Sequence, residues 1–350
     1  MKAAVITRYG SPDVVKILDV PKPTPAANEV LVRVHAATVN RTDCGELRAR
    51  PFFTRLFYGL RRPRRTIFGL DFAGEVEALG AGAHSFKPGD RVFGMCPSRS
   101  NGAQAEYVSV PQRAVAAMPA RARFDEAVVC EGALYANAVL KRINLNAGQK
   151  ILIYGATGAI GTAMVQLAKS SDAVVTAVVA TRHLDLVRSL GADHAVDYTV
   201  EDFTRIGETF DFVVDAVGKA SFFKCRKLLK PDGVFAATDL GPCAQNLMLA
   251  LWSMITRSNR VVIPVPGRMD GFVGFVKNLM EAGQFRAIID RKYDLAAIAD
   301  AYRYVETGQK VGIVVINVAA AEAASKPLTD DLLPSLHVSD NRNDGILMHT

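Results

Sequence analysis

Residues 150–169, KILIYGATGAIGTAMVQLAK, pass from an apolar run through glycines spaced by threes into a small-residue helical pattern. In the turn, Ala156, Thr157, Gly158, Ala159, Ile160 and Gly161 stand at the spacing of a dinucleotide-binding fingerprint. Glycine at 158 would let the backbone approach a pyrophosphate, and glycine at 161 would let the helix lie close to its strand. The first N–H groups of the helix would then face the anion. A tight strand-to-helix turn with no ligand is the plain alternative. The end of the next strand chooses between dinucleotides, because an acidic residue there would grip a free ribose 2′-hydroxyl. The sequence instead places Thr181, Arg182 and His183 at that tip, in VVATRHLD. One hydroxyl and two basic groups suit a 2′-phosphate, which favours NADPH over NADH. Facing water is the other role open to Arg182 and His183, and Asp185 stands close by.

The elements that must hold this turn follow from the pattern around it. From residue 1 to 123, short Val-rich runs such as EVLVRVHAATVN and FAGEVEALG alternate with Gly, Pro and Asp turns, which predicts a β-rich unit. From 124 to 265, strands alternate with helical stretches, the signature of βαβ units in a doubly wound parallel sheet, so the fold class is α/β. Residues 266–318 return to a strand, a helix and a strand and are expected to complete the first unit. The segment 319–350 is polar, has no sustained period, and is expected to be mobile or loosely docked.

The chain has 350 residues, 49% hydrophobic and 22% charged, ordinary values for a folded globular protein of two domains. Cys44, Cys96, Cys130, Cys225 and Cys243 are single, with no CxxC pair and no secretory leader ahead of them, so a cytoplasmic setting is expected. NLMLALWSMITR, residues 246–257, is about half the ~20 residues a bilayer crossing needs and reads as a buried or interface helix. The net charge of +7 is partly local: Arg48, Arg50, Arg55, Arg61, Arg62, Arg64 and Arg65 crowd one segment with Phe52, Phe53, Phe57 and Tyr58 among them. That segment reads as a solvated loop near the pocket of a phosphate-bearing cofactor, or as a surface for nucleic acid, an anionic membrane or an acidic partner.

Several motifs in order carry a resemblance: the opening residues 1–43, then GLDFAGEVEALGAG, FKPGDRVFG, AEYVSV, GATGAIG, DFVVDAVG and the closing DLAAIADAYRYVETGQKVGIVVI. Together they resemble the medium-chain dehydrogenase/reductases, in the zinc-independent quinone oxidoreductase branch. The resemblance implies a GroES-like catalytic domain, a Rossmann domain and an active site between them. It implies that Asn40 and Asp43 shape the nicotinamide side, that Tyr198 supplies an aromatic ring near the adenosine phosphate, and that Val217 lies along the nicotinamide half. Zinc-bearing relatives have a Cys in the segment here reading NRTD and a His-Glu pair where this chain has Leu70 and Asp71. They also have a four-cysteine lobe where GMCPSRSNG holds Cys96 alone, so no metal is expected.

In VVCEGALYANAVL the relatives' hydroxyl residue is missing, and Glu131 or Tyr135 could take its place, or Glu131 could be a helix-surface carboxylate. Tyr58 is the candidate proton donor, packing being its other reading. The expectation is an NADPH-dependent oxidoreductase, a dimer, acting on a small hydrophobic electrophile: a quinone or an α,β-unsaturated carbonyl. The arginine-rich segment is expected at the rim of the substrate cleft, with its arginines in water or on an anionic surface. A zinc-free carbonyl reductase and an NADPH-binding sensor, structural protein or nucleic-acid binder are the alternatives.

Overall fold

The structure is a computed structural model that describes residues 1–50, 52–97, 102–239, 241, 245–256, 260–267 and 269–318, without the side chains of Phe53 and Phe57. The expected mobile tail, 319–350, and Cys243 lie outside the described residues.

The first lobe opens with an antiparallel pair, β1 (Lys2–Ile6) and β2 (Val15–Asp19). Then come β3 (Glu29–Val39), α1 (Arg41–Arg48), α2 (Arg55–Tyr58), β4 (Asp71–Leu79), β5 (Arg91–Met95), β6 (Tyr107–Pro111) and β7 (Val115–Ala117). The long strand β3 is the hub, because it pairs antiparallel with both β4 and β6. Its apolar residues Val30, Val32 and Val34 are buried in the same cluster as Phe68 and Phe72.

The second lobe follows α3 (Phe124–Ala127) and α4 (Cys130–Ile143). It runs β8 (Lys150–Tyr154), α5 (Ala159–Lys169), β9 (Val174–Val179), α6 (Leu184–Ser189), β10 (His194–Asp197), β11 (Phe210–Asp215), α7 (Phe222–Cys225), β12 (Leu229–Ala237), α8 (Gln245–Ile255) and β13 (Val261–Val262). These strands form one parallel sheet in the order β10-β9-β8-β11-β12-β13. Ile151, Leu152 and Ile153 of β8 all have zero exposure. An unbroken apolar run is what a central parallel strand covered on both faces requires.

After α9 (Phe272–Glu281), the strands β14 (Ile289–Asp294) and β15 (Ile313–Asn317), with α10 (Ile298–Glu306) between them, return to the first lobe. There β15 pairs antiparallel with β3 and extends its sheet. The lobes share apolar packing: Phe93, Met95 and Met118 of the first belong to the same buried cluster as Ala133, Ile151 and Ile153.

Helix α8 corrects one alternative of the sequence reading, because it is not a buried helix. Its buried stripe is Asn246, Ala250 and Ser253, whereas Met248, Trp252, Met254 and Ile255 are all at least 65% exposed. Its buried positions are small or polar, and most of its large apolar side chains fall on the outer face, while Leu249 is half-buried against the core of the parallel sheet. Among the described residues, no helix is long and apolar enough to cross a membrane.

Candidate functional site

The glycine turn is built by backbone against backbone. Gly155 leaves β8 at a φ of +79°, a left-handed value that a side chain would strain. At Gly161 an added Cβ would stand 2.2 Å from the carbonyl oxygen of Gly155 and 2.7 Å from Cα of Ala156, so only glycine lets α5 lie this close to the strand. Gly158 differs: an added Cβ would find only the Gly155 oxygen, at 3.9 Å. The space over Gly158 is open, at the start of an eleven-residue helix whose first N–H groups have no intrahelical partner. Such a cradle fits a pyrophosphate. Thr157, Ala159 and Ile160 beside it are half-buried, while Ala156 is wholly buried in the turn. The first lobe's sheet is tied to the same turn, because the Gly312 N–H donates to the Thr157 carbonyl at 2.7 Å and Gly158 bridges Gly312.

At the tip of β9, Thr181 and Arg182 are exposed and His183 half-buried. Arg182 Nε donates to His183 Nε2 at 2.9 Å, and the hydroxyls of Thr181 and Thr199 are 2.9 Å apart. Asp185 is drawn to Arg188, one turn along, at 3.2 Å. The exposed ring of Tyr198 lies 6.2 Å from Tyr154. Sequence reasoning missed Asp197. This carboxylate ends β10 near the same tip; its Oδ1 accepts from the amide and hydroxyl of Thr199, and Thr181 first and Thr199 second hold its pKa below the ordinary carboxylate value, so it is a charged group at that tip. Val217 covers the glycine turn from above: an added Cβ on Gly155 would be 2.5 Å from its Cγ1. Asp215 holds that loop by accepting from the amides of Val217, Gly218 and Ala220.

Across from the turn lies a group of buried polar side chains. Asn40, the residue before α1, donates from Nδ2 to Glu131 Oε2 at 2.6 Å and to the Thr38 hydroxyl at 3.1 Å. Its Oδ1 is buried and has no partner. Asp43 accepts from the amides of Asn40 at 2.8 Å and Gly69 at 3.1 Å, so both its oxygens brace backbone. Asp71 Oδ1 accepts from the Glu131 amide at 2.8 Å. Glu131 is 4% exposed, which removes the reading of it as a helix-surface carboxylate. Burial first, and then the charge of Glu131, raises the pKa of Asp43 to about 8 and that of Asp71 well above the carboxylate range. Three negative charges this close in a low dielectric would repel strongly, so the group holds protons.

Tyr58 turns toward these acids. Its phenol is half-buried, and burial first and Glu46 second raise its pKa, with Asp43 and Glu131 also in electrostatic reach. Tyr135 is pushed up to about 12 by burial and by Glu131. Several arginines of the segment before β4 do not stay in water as expected. Arg65 is 9% exposed and forms a two-pronged ion pair with Glu46, and Arg48 meets Glu306 at 2.6 Å. Burial forces Arg65 to pair, since an isolated charge inside is costly. Phe52 stays 72% exposed, with the Arg55 guanidinium 4.8 Å from its ring centroid. Phe53 and Phe57 fall outside the described side chains.

At the positions where relatives hold zinc, Leu70 is buried and apolar, and Asp71 is engaged by an amide. The thiols of Cys44 and Cys96 are buried, their pKa raised by that burial. Among the described residues no group of three or more His, Cys, Asp or Glu side chains could hold a metal ion.

Two family models match: the alcohol dehydrogenase GroES-like domain over residues 26–120 and the zinc-binding dehydrogenase domain over 190–316. A 2-methylene-furan-3-one reductase of Solanum lycopersicum is 31% identical, with 91% of this chain and 79% of the relative covered. An NADPH-dependent alkenal/one oxidoreductase of Arabidopsis thaliana chloroplasts is 30% identical, with 90% and 79% covered. The structure of a quinone oxidoreductase from Coxiella burnetii superposes with a TM-score of 0.80 at 26% identity, covering 91% of this chain and 99% of that one. With its GroES-like lobe, its Rossmann sheet and its glycine turn at the junction, the chain belongs to the medium-chain dehydrogenase/reductase superfamily, among the nicotinamide-dependent oxidoreductases related to quinone and enone reductases.

Proposed function

We propose that this chain is a zinc-independent reductase that uses NADPH to deliver hydride to a quinone or to the C=C bond of an α,β-unsaturated carbonyl. The observation that carries this reading is the open cradle over Gly158 beside buried proton-holding side chains, with no tetrahedral set of metal donors among the described residues. Thr157, Gly158, Ala159, Ile160 and Gly161 would hold the pyrophosphate. Thr181, Arg182 and His183 would take the 2′-phosphate, Tyr198 the adenosine side, and Val217 and Asn40 the nicotinamide side. The pairing of Asp185 with Arg188 supports the phosphate preference, because it leaves Arg182 with a neutral imidazole as its neighbour. The names of the relatives also point to conjugated acceptors.

When bound, the nicotinamide supplies the hydride. The chain orients the two reactants, keeps water away and provides a proton to the oxygen that gains charge. Tyr58, kept protonated by burial, is suited to donate that hydrogen bond. The exposed apolar stripe of α8 supports a dimer.

A panel of quinones, enones and aldehydes, with NADPH absorbance followed after each addition, tests the reading. Oxidation by quinones or enones after exhaustive chelation is expected. Turnover of none of them, or only of simple aldehydes, would overturn it.

A further inference from the structure

The hydroxyl groups between the tip of β9 and the end of β10 have a direction, and a carboxylate sets it. The Thr199 amide and hydroxyl both donate to Asp197 Oδ1, at 2.8 Å and 2.6 Å. The hydroxyl oxygens of Thr181 and Thr199 are 2.9 Å apart. A hydroxyl carries one hydrogen, and an ionised carboxylate accepts without donating. Thr199 therefore spends its hydrogen on Asp197, and Thr181 must spend its own on Thr199. The bonds from Thr181 first and Thr199 second hold the pKa of Asp197 below the ordinary carboxylate value, so the direction is fixed at neutral pH.

The consequence appears on the outer side of the tip. Thr181 is exposed, and what its oxygen presents there is lone pairs rather than a hydrogen. Such an atom accepts from a ribose hydroxyl and repels the oxygens of a phosphate. Its neighbour is disposed the other way: Arg182 gives its Nε hydrogen to His183 Nε2 at 2.9 Å and keeps its Nη groups for an anion. One site thus combines a cation that favours a 2′-phosphate with a hydroxyl whose hydrogen is already committed.

We propose that Asp197 is a coenzyme-specificity residue: by drawing the hydrogens of Thr199 and Thr181 inward, it holds Thr181 as an acceptor for the adenosine ribose and tempers the preference for NADPH. The proposal rests on the reading above in which Thr181, Arg182 and His183 surround the ribose 2′ position. With NADH, the 2′-hydroxyl donates to the Thr181 oxygen and the hydroxyl chain stays as it stands. With NADPH, Thr181 serves the phosphate only by turning its hydrogen outward, which breaks its bond to Thr199. Arg182 attracts the phosphate, and the chain from Asp197 holds back part of that gain. Asp197 acts through the two threonines and is a positioning residue.

Calorimetric titration with NADPH and with NADH tests this without any substrate. Asp197→Asn keeps an acceptor for the Thr199 amide and adds a donor, so the hydroxyl chain can reverse and Thr181 can donate outward. This variant is expected to bind NADPH about tenfold more tightly, the low end of one charge-assisted hydrogen bond, and NADH about threefold more weakly. A merely structural role would weaken both coenzymes. Thr181→Val keeps the shape and leaves the bonds between Asp197 and Thr199 in place. It should weaken NADH about fivefold and leave NADPH within about twofold. In the double variant the NADPH gain of Asp197→Asn should vanish.

An unchanged NADPH affinity in a folded Asp197→Asn protein would overturn the proposal. So would a gain that survives in the double variant, because charge would then be acting on the phosphate directly. If thermal melts show that Asp197→Asn does not fold, Thr181→Val decides, and an unchanged NADH affinity overturns the proposal. Arg182→Ala separates this result from the reading beneath it. A ratio of the two dissociation constants that ignores Arg182→Ala defeats the placement of the 2′-phosphate; a ratio that follows Arg182→Ala but ignores Asp197→Asn and Thr181→Val defeats the role of Asp197 alone.

Discussion

Replacing Gly158 by alanine separates what the glycine turn does for folding from what it does for binding. Gly158 has φ −72° and ψ 173°, a conformation open to any residue, and the new methyl would meet only one atom, at 3.9 Å. Losing glycine at a helix N-cap costs a few tenths to about 1 kcal/mol, and the stiffer unfolded chain returns about 0.4–1 kcal/mol, so stability should change by less than about 1 kcal/mol. Binding is another matter. A methyl in the cradle keeps a phosphate away from the amides of α5, and losing one or two charge-assisted hydrogen bonds of about 1.5–3 kcal/mol each predicts roughly 2–4 kcal/mol. That is about 30-fold to 1,000-fold in Kd. Gly161→Ala makes the contrast, because its Cβ would lie 2.2 Å from a carbonyl oxygen with no flexible side chain to move, so this variant should lose fold and binding together. Titration calorimetry with NADPH, run beside thermal melts of both variants, is the assay. A Gly158→Ala protein that melts and binds NADPH like the wild type would refute the reasoning.

Arg182→Ala should narrow the preference for NADPH over NADH by about tenfold or more, measured as the ratio of the two dissociation constants; an unchanged ratio would place the phosphate elsewhere. Glu46→Gln leaves the enclosed Arg65 without its counter-charge and should cost about 3–5 kcal/mol in chemical denaturation, with little change if the pair were exposed. Asp71 has a folded pKa raised above its ordinary 3.8, so its contribution to stability is complete below that value and is lost as pH rises toward the folded value. The Tm of Asp71→Asn should therefore fall less than that of wild type as pH rises above 3.8 toward neutrality. Two parallel curves would show that Asp71 is charged throughout.

Local constraints made part of this molecule legible in the sequence. The turn from Gly155 to Gly161 announces itself because its geometry depends on residues within one short stretch, and the alternation of strands and helices reads directly as a parallel sheet. The site opposite was harder to read. Glu131 looked like either a substitute for a missing hydroxyl or a surface carboxylate, and its burial comes from Asn40, which is 91 positions away in the chain. Arg65 looked like one more solvated arginine, and only Glu46 inside the fold makes it a structural cation. Asp197 gave no signal, since a carboxylate that caps its own turn two residues on looks like any acidic residue at a strand end.

The bond from Gly312 to Thr157 runs between main-chain atoms, so no exchange of either side chain removes its donor or acceptor, short of proline at 312. Gly312 is itself fixed as glycine by its left-handed φ of +66° and by the Ile288 carbonyl oxygen, 1.9 Å from where a Cβ would stand. The tie between the first lobe's sheet and the glycine turn is therefore a matter of backbone shape, and substitution can reach it only by bending the chain.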